Sequence, residues 1–102
     1  MSEMLVTCGF TTFNSEKTIN RALTSALEQD YKDIEILIVD DNSSDSTINK
    51  INSFFSKKDI RYKLLKHREN LGVASARNTL LNNANGEFLA FFDSDDFSCK
   101  NR

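Results

Sequence analysis

Along the 102-residue chain, segments with continuous apolar runs alternate with segments whose apolar residues have helical spacing. Residues 34–41, IEILIVDD, are apolar at nearly every position before the final aspartates, which is typical of a strand buried on both faces. Residues 15–29 instead carry apolar side chains at helical spacing. The alternation continues along the chain and predicts strands at 4–10, 34–41, within 57–68 and at 87–93, and helices at 15–29, 44–56 and 72–84.

This β-α-β-α-β-α-β order predicts an α/β, Rossmann-like fold with a mostly parallel sheet and helices on both faces. In such sheets ligands bind outside the carboxyl ends of the strands, where the strand order reverses. Polar residues follow three of the predicted strands, at 11–16, 40–45 and 93–96. We therefore expect the functional site at that edge of the sheet.

Composition narrows the class of protein. Apolar residues make up 39% of the chain and charged residues 27%, which is typical of one folded domain rather than a disordered segment. The net charge of −2 disfavours a general nucleic-acid binder.

The basic segment 57–68 is interpreted as an exposed edge strand, with a phosphate or membrane patch as the less favoured alternative. Without a signal peptide or a membrane-length apolar run, the expected location is cytoplasmic.

The two cysteines are far apart in the sequence. Cys8 lies in an apolar segment, where a reduced, packed thiol is the favoured interpretation. A Cys8–Cys99 disulfide and a two-cysteine metal site are less favoured alternatives.

Aspartates crowd the end of the last predicted strand. Asp93, Asp95 and Asp96 follow the apolar run 88–92 directly, and three carboxylates that close repel one another. A Mg²⁺ or Mn²⁺ ion bridged to a phosphate would offset that repulsion. The alternative is an acidic turn in which Asp96 caps a following helix.

Another acidic pair ends the second predicted strand. Of Asp40 and Asp41, one is expected to point inward and the other to face the edge, where it could accept a hydrogen bond from a base or ribose.

Asp45 or Ser44 is the expected N-cap of the second helix, as Ser15 or Asn14 is of the first. Arg77, in the third helix, could reach a nucleotide or pair with an acidic residue. His67 is interpreted as a surface side chain rather than a catalyst.

Taken together, three blocks of sequence resemble the nucleotide-binding half of the family-2 inverting glycosyltransferases with the A-type fold. They are residues 11–47, residues 69–78 (ENLGVASARN) and residues 84–96 (ANGEFLAFFDSDD). The resemblance implies that Thr12, Phe13 and Glu16 hold the base and ribose of a sugar nucleotide. It implies that Asp41 recognises the base, commonly uracil.

The resemblance also assigns the third helix and the acidic end of the chain. Arg77 matches the arginine of the family's Ala-Arg-Asn segment. Asp93 and Asp95 match its D-x-D motif, with Asp95 expected to contact Mn²⁺ or Mg²⁺ and Asp93 to contact the metal or the ribose. Asp96 follows the motif as a weaker candidate.

The implied reaction transfers a sugar from a nucleotide-diphosphate donor, a UDP-sugar by expectation, to an acceptor hydroxyl with inversion. The family's base is a carboxylate well downstream of D-x-D, and residues 1–102 hold no candidate for it. We therefore expect a truncated, donor-binding portion that transfers no sugar alone and self-associates through uncovered sheet surface. The acceptor, a glycan or a lipid-linked sugar of cell-wall or capsule synthesis, would bind the missing half, with the full-length protein peripheral at the inner membrane surface.

Two other classes of protein remain open from the sequence. A phospho-signalling receiver also places an acidic pair and a further aspartate around Mg²⁺ at the ends of strands. A non-catalytic interaction module could keep the fold without the chemistry.

Overall fold

The computed structural model describes residues 5–28, 33–56, 58, 60, 62–86 and 88–93, with the backbone alone for 33, 88, 92 and 93. Strands and helices alternate through this range as the sequence predicts. In chain order they are β1 (Leu5–Thr12), α1 (Ile19–Leu27), β2 (Asp33–Asp40), α2 (Thr47–Phe55), β3 (Tyr62–Lys66), α3 (Val73–Asn83) and β4 (Phe88–Asp93).

The four strands form one parallel sheet in the order β3-β2-β1-β4. The chain steps outward from β1 to β3 and then crosses back to place β4 on the other side of β1, so the strand order reverses between β1 and β4. In the register, Thr12 of β1 pairs with Asp40 of β2, and Thr11 pairs with Asp93 of β4. The carboxyl ends of three strands therefore meet at one edge.

Helices cover both faces of the sheet, which confirms the predicted layers. Strand β2 supplies both interfaces because its side chains alternate: Ile36 and Ile38 join one cluster, and Leu37 and Val39 join the other. Helices α1 and α2 pack on the first face and α3 packs on the second. The buried residues of the larger cluster are Cys8, Phe10, Ile19, Ala22, Leu23, Ala26, Ile36, Ile38, Ile51 and Phe55.

The first two helices begin later than the sequence predicts, so the expected N-caps are wrong. Helix α1 begins at Ile19 because residues 16–18 form a turn in which the N–H groups of Thr18 and Ile19 donate to Ser15 O. Helix α2 begins at Thr47 with Ser46 as its N-cap residue. Among the described residues, no helix has the length and apolar character needed to cross a bilayer.

Strand β3 forms one edge of the sheet, as predicted for the basic segment. Its Tyr62, Lys63 and Lys66 side chains are exposed, and the Tyr62 ring stacks on Phe55 with centroids 4.2 Å apart. Strand β4 forms the opposite edge, where Phe91 is exposed. Self-association through such surfaces stays a prediction.

Cys8 is a free, fully buried thiol in the larger cluster, which confirms the packed interpretation. Burial raises its pKa to about 12, because the thiolate would lose its hydration there. The thiol is therefore neutral and structural. Cys99 lies outside the described residues.

Candidate functional site

An open cleft of about 930 Å³ lies at the carboxyl edge of the sheet. Residues 11–18, which run from the end of β1 to α1, form one wall, and residues 70–77 at the start of α3 contribute the other. Asp41 and Asp45, which follow β2, also line the cleft. The cleft is thus at the edge where the sequence predicts a site.

Asp40, the last residue of β2, lies at this edge of the sheet. Its side chain is fully buried and accepts hydrogen bonds from Thr12 Oγ1 (2.6 Å), Ser43 N (2.8 Å) and Ser43 Oγ (2.6 Å). These donors come from β1 and from the loop after β2, so Asp40 joins the end of β1 to that loop. It is the inward member of the acidic pair. The Thr12 hydroxyl has Asp40 as its partner, and a contact between Thr12 and nucleotide stays a prediction.

Asp41 is the member of the pair that lines the cleft, although its residue exposure is only 5%. Its Oδ1 accepts from Leu71 N–H at 2.9 Å and lies 2.8 Å from His67 Nδ1, while Oδ2 accepts from Gly72 N–H at 2.9 Å. Burial by itself raises the pKa of Asp41, but the hydrogen bonds from Leu71, His67 and Gly72 outweigh it and lower the pKa. The carboxylate is therefore ionised at neutral pH.

The acceptor capacity of Asp41 is nearly filled. A carboxylate offers about four acceptor positions, two on each oxygen. Donors from His67 and Leu71 fill Oδ1, and Gly72 takes one position on Oδ2. One position on Oδ2 is left, so the Asp41 side chain can accept a single further N–H or O–H group.

His67 is not the surface side chain that the sequence suggested. Its side chain is 11% exposed, with Nδ1 on Asp41 and Nε2 2.9 Å from Thr79 Oγ1. Its backbone N–H donates to Asp40 O at 2.9 Å. The prediction was wrong because it placed His67 on the exposed edge strand, whereas β3 ends one residue earlier and the chain turns beneath α3.

The start of α3 depends on an unusual backbone conformation. Gly72, the N-cap residue, has φ 96° and ψ 163°, a region that is essentially restricted to glycine. In this conformation the N–H groups of Leu71 and Gly72 both reach the Asp41 carboxylate. A negative charge at a helix N-terminus is also favourable for the helix dipole.

The loop after β1 carries the other residues implied to hold base and ribose. Phe13 lines the cleft and is 50% exposed, which leaves a ring face open for stacking. Glu16 also lines the cleft, and its Oε1 accepts Ser46 N–H at 2.9 Å. Its own N–H donates to Asp45 Oδ2 at 3.2 Å. Glu16 therefore braces two loops, and a contact with ribose stays a prediction.

Asp45 completes this brace from the start of α2. Its Oδ1 accepts from Thr47 N at 3.0 Å and from Thr47 Oγ1 at 2.5 Å. Burial acts to raise its pKa, but the hydrogen bonds from Thr47 and from Glu16 N–H outweigh it and lower the pKa. Thr47 Oγ1 in turn accepts Ser15 N–H at 2.7 Å. Through Thr47, the Asp45 carboxylate is therefore connected both to the start of α2 and to the loop after β1.

Asn14 is a structural residue of the site that the sequence analysis named only as a candidate N-cap. It has φ 49°, and its Oδ1 accepts Ser44 N–H at 2.8 Å while its N–H donates to Ser43 Oγ at 2.8 Å. Asparagine tolerates positive φ better than most residues, and that preference was the available signal. Its contacts join the loop after β1 to the loop after β2.

Two basic side chains line the cleft. Arg77, in the second turn of α3, has its guanidinium carbon 5.7 Å from the centroid of the Phe91 ring. Lys17, exposed in the turn before α1, also lines the cleft and was not singled out from the sequence. Both can contribute positive charge toward an anionic ligand.

The acidic end of the chain is described only as far as Asp93. Asp93 is the last residue of β4 and pairs with Thr11, which lines the cleft. Its side chain, and all of Asp95 and Asp96, lie outside the described residues. Within the part that is described, His, Cys, Asp and Glu form no group of three suited to a metal ion.

Comparison with known proteins gives one family and many relatives. The model of glycosyl transferase family 2 matches residues 8–102. The Escherichia coli protein UDP-Glc:alpha-D-GlcNAc-diphosphoundecaprenol beta-1,3-glucosyltransferase WfgD is 42% identical over 102 residues, which are 100% of this chain and 39% of that protein. In Campylobacter jejuni, GalNAc(5)-diNAcBac-PP-undecaprenol beta-1,3-glucosyltransferase is 40% identical over 83% of this chain and 28% of its own length.

Solved structures share the fold over nearly the whole chain. S. aureus TarS 1-349 in complex with UDP superposes with a TM-score of 0.82 and 35% identity, covering 92% of this chain and 28% of that one. The mannosyltransferase PcManGT from Pyrobaculum calidifontis, in complex with GDP-Man and Mn²⁺, gives a TM-score of 0.86 and 30% identity, covering 95% of this chain and 29% of that one.

Proposed function

Because this chain belongs to glycosyl transferase family 2, we propose that its cleft binds the nucleotide of a UDP-sugar donor. The membership confirms the enzyme class and decides against the phospho-signalling receiver. The chain spans less than two-fifths of the length of the first curated relatives it matches. Donor recognition is therefore the role assigned to residues 1–102, and transfer to an acceptor hydroxyl with inversion is proposed for the whole protein.

The observation that carries the choice of uracil is the single acceptor position left on Asp41 Oδ2. Uracil presents one N–H at N3, which needs one acceptor. Guanine presents N–H groups at N1 and N2 side by side, and the filled Oδ1 cannot accept the second. In the pose in which uracil N3–H meets Asp41 Oδ2, cytosine would place the bare lone pair of N3 against the carboxylate, and its N4 amino group could donate there only after the base shifts. Sites built around a buried polar group discriminate strongly against ligands that leave it unpaired.

The rest of the donor would follow the walls of the cleft. The exposed ring of Phe13 offers a stacking face for the base, and Thr12 and Glu16 lie on the same wall for the ribose. Arg77 and Lys17 supply positive charge for the diphosphate. The bound UDP of the TarS structure supports this assignment as a homologous case.

A divalent ion fits the donor set at the end of β4. Asp93 and Asp95 offer hard carboxylate oxygens, which suit Mg²⁺ or Mn²⁺, and the backbone of Asp93 lies beside Thr11 at the cleft. Asp95, with Asp93, would hold the ion. When bound, it would neutralise the departing diphosphate. The Mn²⁺ in the PcManGT structure supports a metal in this fold.

The acceptor class is proposed from the relatives. Two of them carry names that specify diphosphoundecaprenol or PP-undecaprenol substrates. We assign a lipid-linked sugar as the acceptor of the whole protein and polysaccharide synthesis at the inner membrane surface as its setting. No catalytic base is assigned within residues 1–102.

The test is calorimetric titration of the chain with UDP, CDP and GDP, each with and without Mn²⁺. We expect UDP to bind most tightly, and Asp41→Asn to weaken UDP while leaving CDP little changed. Glu35→Gln is the matched control, because Glu35 is a hydrogen-bonded carboxylate at the opposite end of the sheet, next to Thr7 and Asn85. Absence of UDP binding in Mn²⁺, or equal affinity for UDP and CDP, would contradict the proposal. The former result would favour a non-catalytic module.

The metal assignment needs its own variant. We expect Asp95→Ala to abolish the increase in UDP affinity on adding Mn²⁺ while leaving the metal-free affinity unchanged. A Mn²⁺ effect of the same size in Asp95→Ala and in the parent chain would count against the assigned role of Asp95.

A further inference from the structure

His67 touches the proposed base-recognising carboxylate from outside the cleft. The described residues that line the cleft include Asp41 but not His67. His67 Nδ1 lies 2.8 Å from Asp41 Oδ1, and its side chain is largely buried. An imidazole in this position cannot reach a ligand in the cleft, so any influence on binding passes through Asp41.

We propose that His67 is a positioning residue that sets the preference of the cleft for uracil. This inference rests on the proposed function, because it requires Asp41 to read the base. The Nδ1–H group of His67 and the N–H of Leu71 together fill Oδ1. With Gly72 on Oδ2, the carboxylate is held by three donors in one orientation, and only one acceptor position remains. Without His67, the plane of the carboxylate is less constrained and a vacancy opens on Oδ1.

The hydrogen-bond network also determines that Nδ1 of His67, which faces Asp41, carries a proton. An ionised carboxylate only accepts, so Nδ1 must carry a proton. Thr79 Oγ1 lies 2.9 Å from Nε2 and 3.0 Å from Ser75 O. Its one hydroxyl proton can go to Nε2, which suits a neutral ring, or to Ser75 O, which suits a ring protonated on both nitrogens. In both arrangements Nδ1–H donates to Asp41, so the donor is kept whichever form is present.

Two substitutions separate positioning from packing. The amide nitrogen of asparagine falls near the place of histidine Nδ1, whereas that of glutamine falls near the place of Nε2. His67→Asn therefore keeps a donor for Asp41, and His67→Gln keeps a donor for Thr79 only. We expect His67→Gln to weaken UDP binding by about tenfold, because a misoriented Asp41 would lose most of its charge-assisted hydrogen bond to uracil N3–H. We expect His67→Asn to retain most of the affinity.

The decisive measurement is the ratio of the affinities for UDP and CDP, determined in Mn²⁺ on the folded chain. A purely structural role of His67 would leave this ratio unchanged. CDP brings no N3–H to Asp41, so its affinity should be the same in all three proteins, and the ratio should fall in His67→Gln alone. Equal weakening of UDP and CDP, or equal behaviour of the two variants, would overturn the inference. Failure of the parent chain to bind UDP would instead overturn the proposed function.

A second variant covers the case in which His67→Gln does not fold. Thr79→Val removes the hydroxyl partner of Nε2 and leaves His67 and Asp41 in place. The ring then loses one of its two side-chain anchors, and we expect the ratio of UDP to CDP affinity to fall severalfold. An unchanged ratio in Thr79→Val would overturn the inference.

Discussion

The hydroxyl of Thr12 donates to Oδ1 of Asp40 at 2.6 Å, and this contact joins the last residues of two neighbouring strands. Asp40 is fully buried and carries a carboxylate, so each of its donors offsets part of the cost of removing that group from water. The backbone adds a second link, because Asp41 N–H donates to Thr12 O at 2.8 Å. The carboxyl ends of β1 and β2 therefore form one hydrogen-bonded unit.

The role of Thr12 follows from this unit. We expect Thr12→Val, which removes the donor at nearly constant volume, to lower the free energy of unfolding by about 1–3 kcal/mol, because a buried carboxylate loses a partner. Thr12→Ser keeps the hydroxyl and should lose much less. Urea unfolding of the three proteins makes the comparison. Weaker UDP binding in Thr12→Val without any loss of stability would instead indicate direct contact with the nucleotide.

The two carboxylates with lowered pKa values, Asp41 and Asp45, predict the acid dependence of stability. Each binds its proton more weakly in the folded than in the unfolded chain. The stability that each contributes is therefore present above its unfolded pKa, near 3.8, and is lost as the pH falls through the lower folded value. One such group steepens the decline by at most about 1.4 kcal/mol per pH unit.

The measurement is urea unfolding of the chain and of Asp45→Asn between pH 7 and pH 2.5. We expect the variant to be less stable than the parent at pH 7 and the difference to shrink toward acid, because the parent carboxylate is then protonated as well. Asp41→Asn should behave in the same way. A difference that stays constant across the whole range would contradict the assignment of these carboxylates as ionised hydrogen-bond acceptors.

Much of the fold could be predicted because it depends on local patterns. The apolar run of β2 required burial on both faces, and the helical spacing in α1 and α3 required one covered face each. These patterns also fixed which strand ends would meet, since parallel strands bring their carboxyl ends together. The positions of Asp40 and Asp41 at one edge follow from that geometry alone, whereas Arg77, in α3, was assigned to the site by the family resemblance.

The helix starts and His67 could not be predicted in the same way because they depend on contacts between segments distant in sequence. Ser15 is an acceptable N-cap by type, yet its N–H donates to Thr47 Oγ1 from a different loop, and the helix begins four residues later. His67 contacts Asp41 across 26 positions. Residue preferences indicate what a side chain can do locally, and these partners were set by the way the loops pack.

Gly72 gives the last prediction, because the start of α3 and the orientation of Asp41 both depend on its backbone. A Cβ built on Gly72 meets nothing within 4 Å, so Gly72→Ala introduces no clash, and its cost is the strain of a φ of 96°, about 1–3 kcal/mol. Relief of that strain would turn the N–H away from Asp41 Oδ2, so we expect weaker UDP binding together with lower stability. Gly86→Ala is the control: its Cβ would lie 2.6 Å from Thr7 Oγ1, at the amino end of the sheet, and should lower stability while leaving UDP affinity unchanged. Unfolding and calorimetry on both variants separate the two effects, and a Gly72→Ala chain with parental affinity would show that the carboxylate keeps its orientation without the glycine.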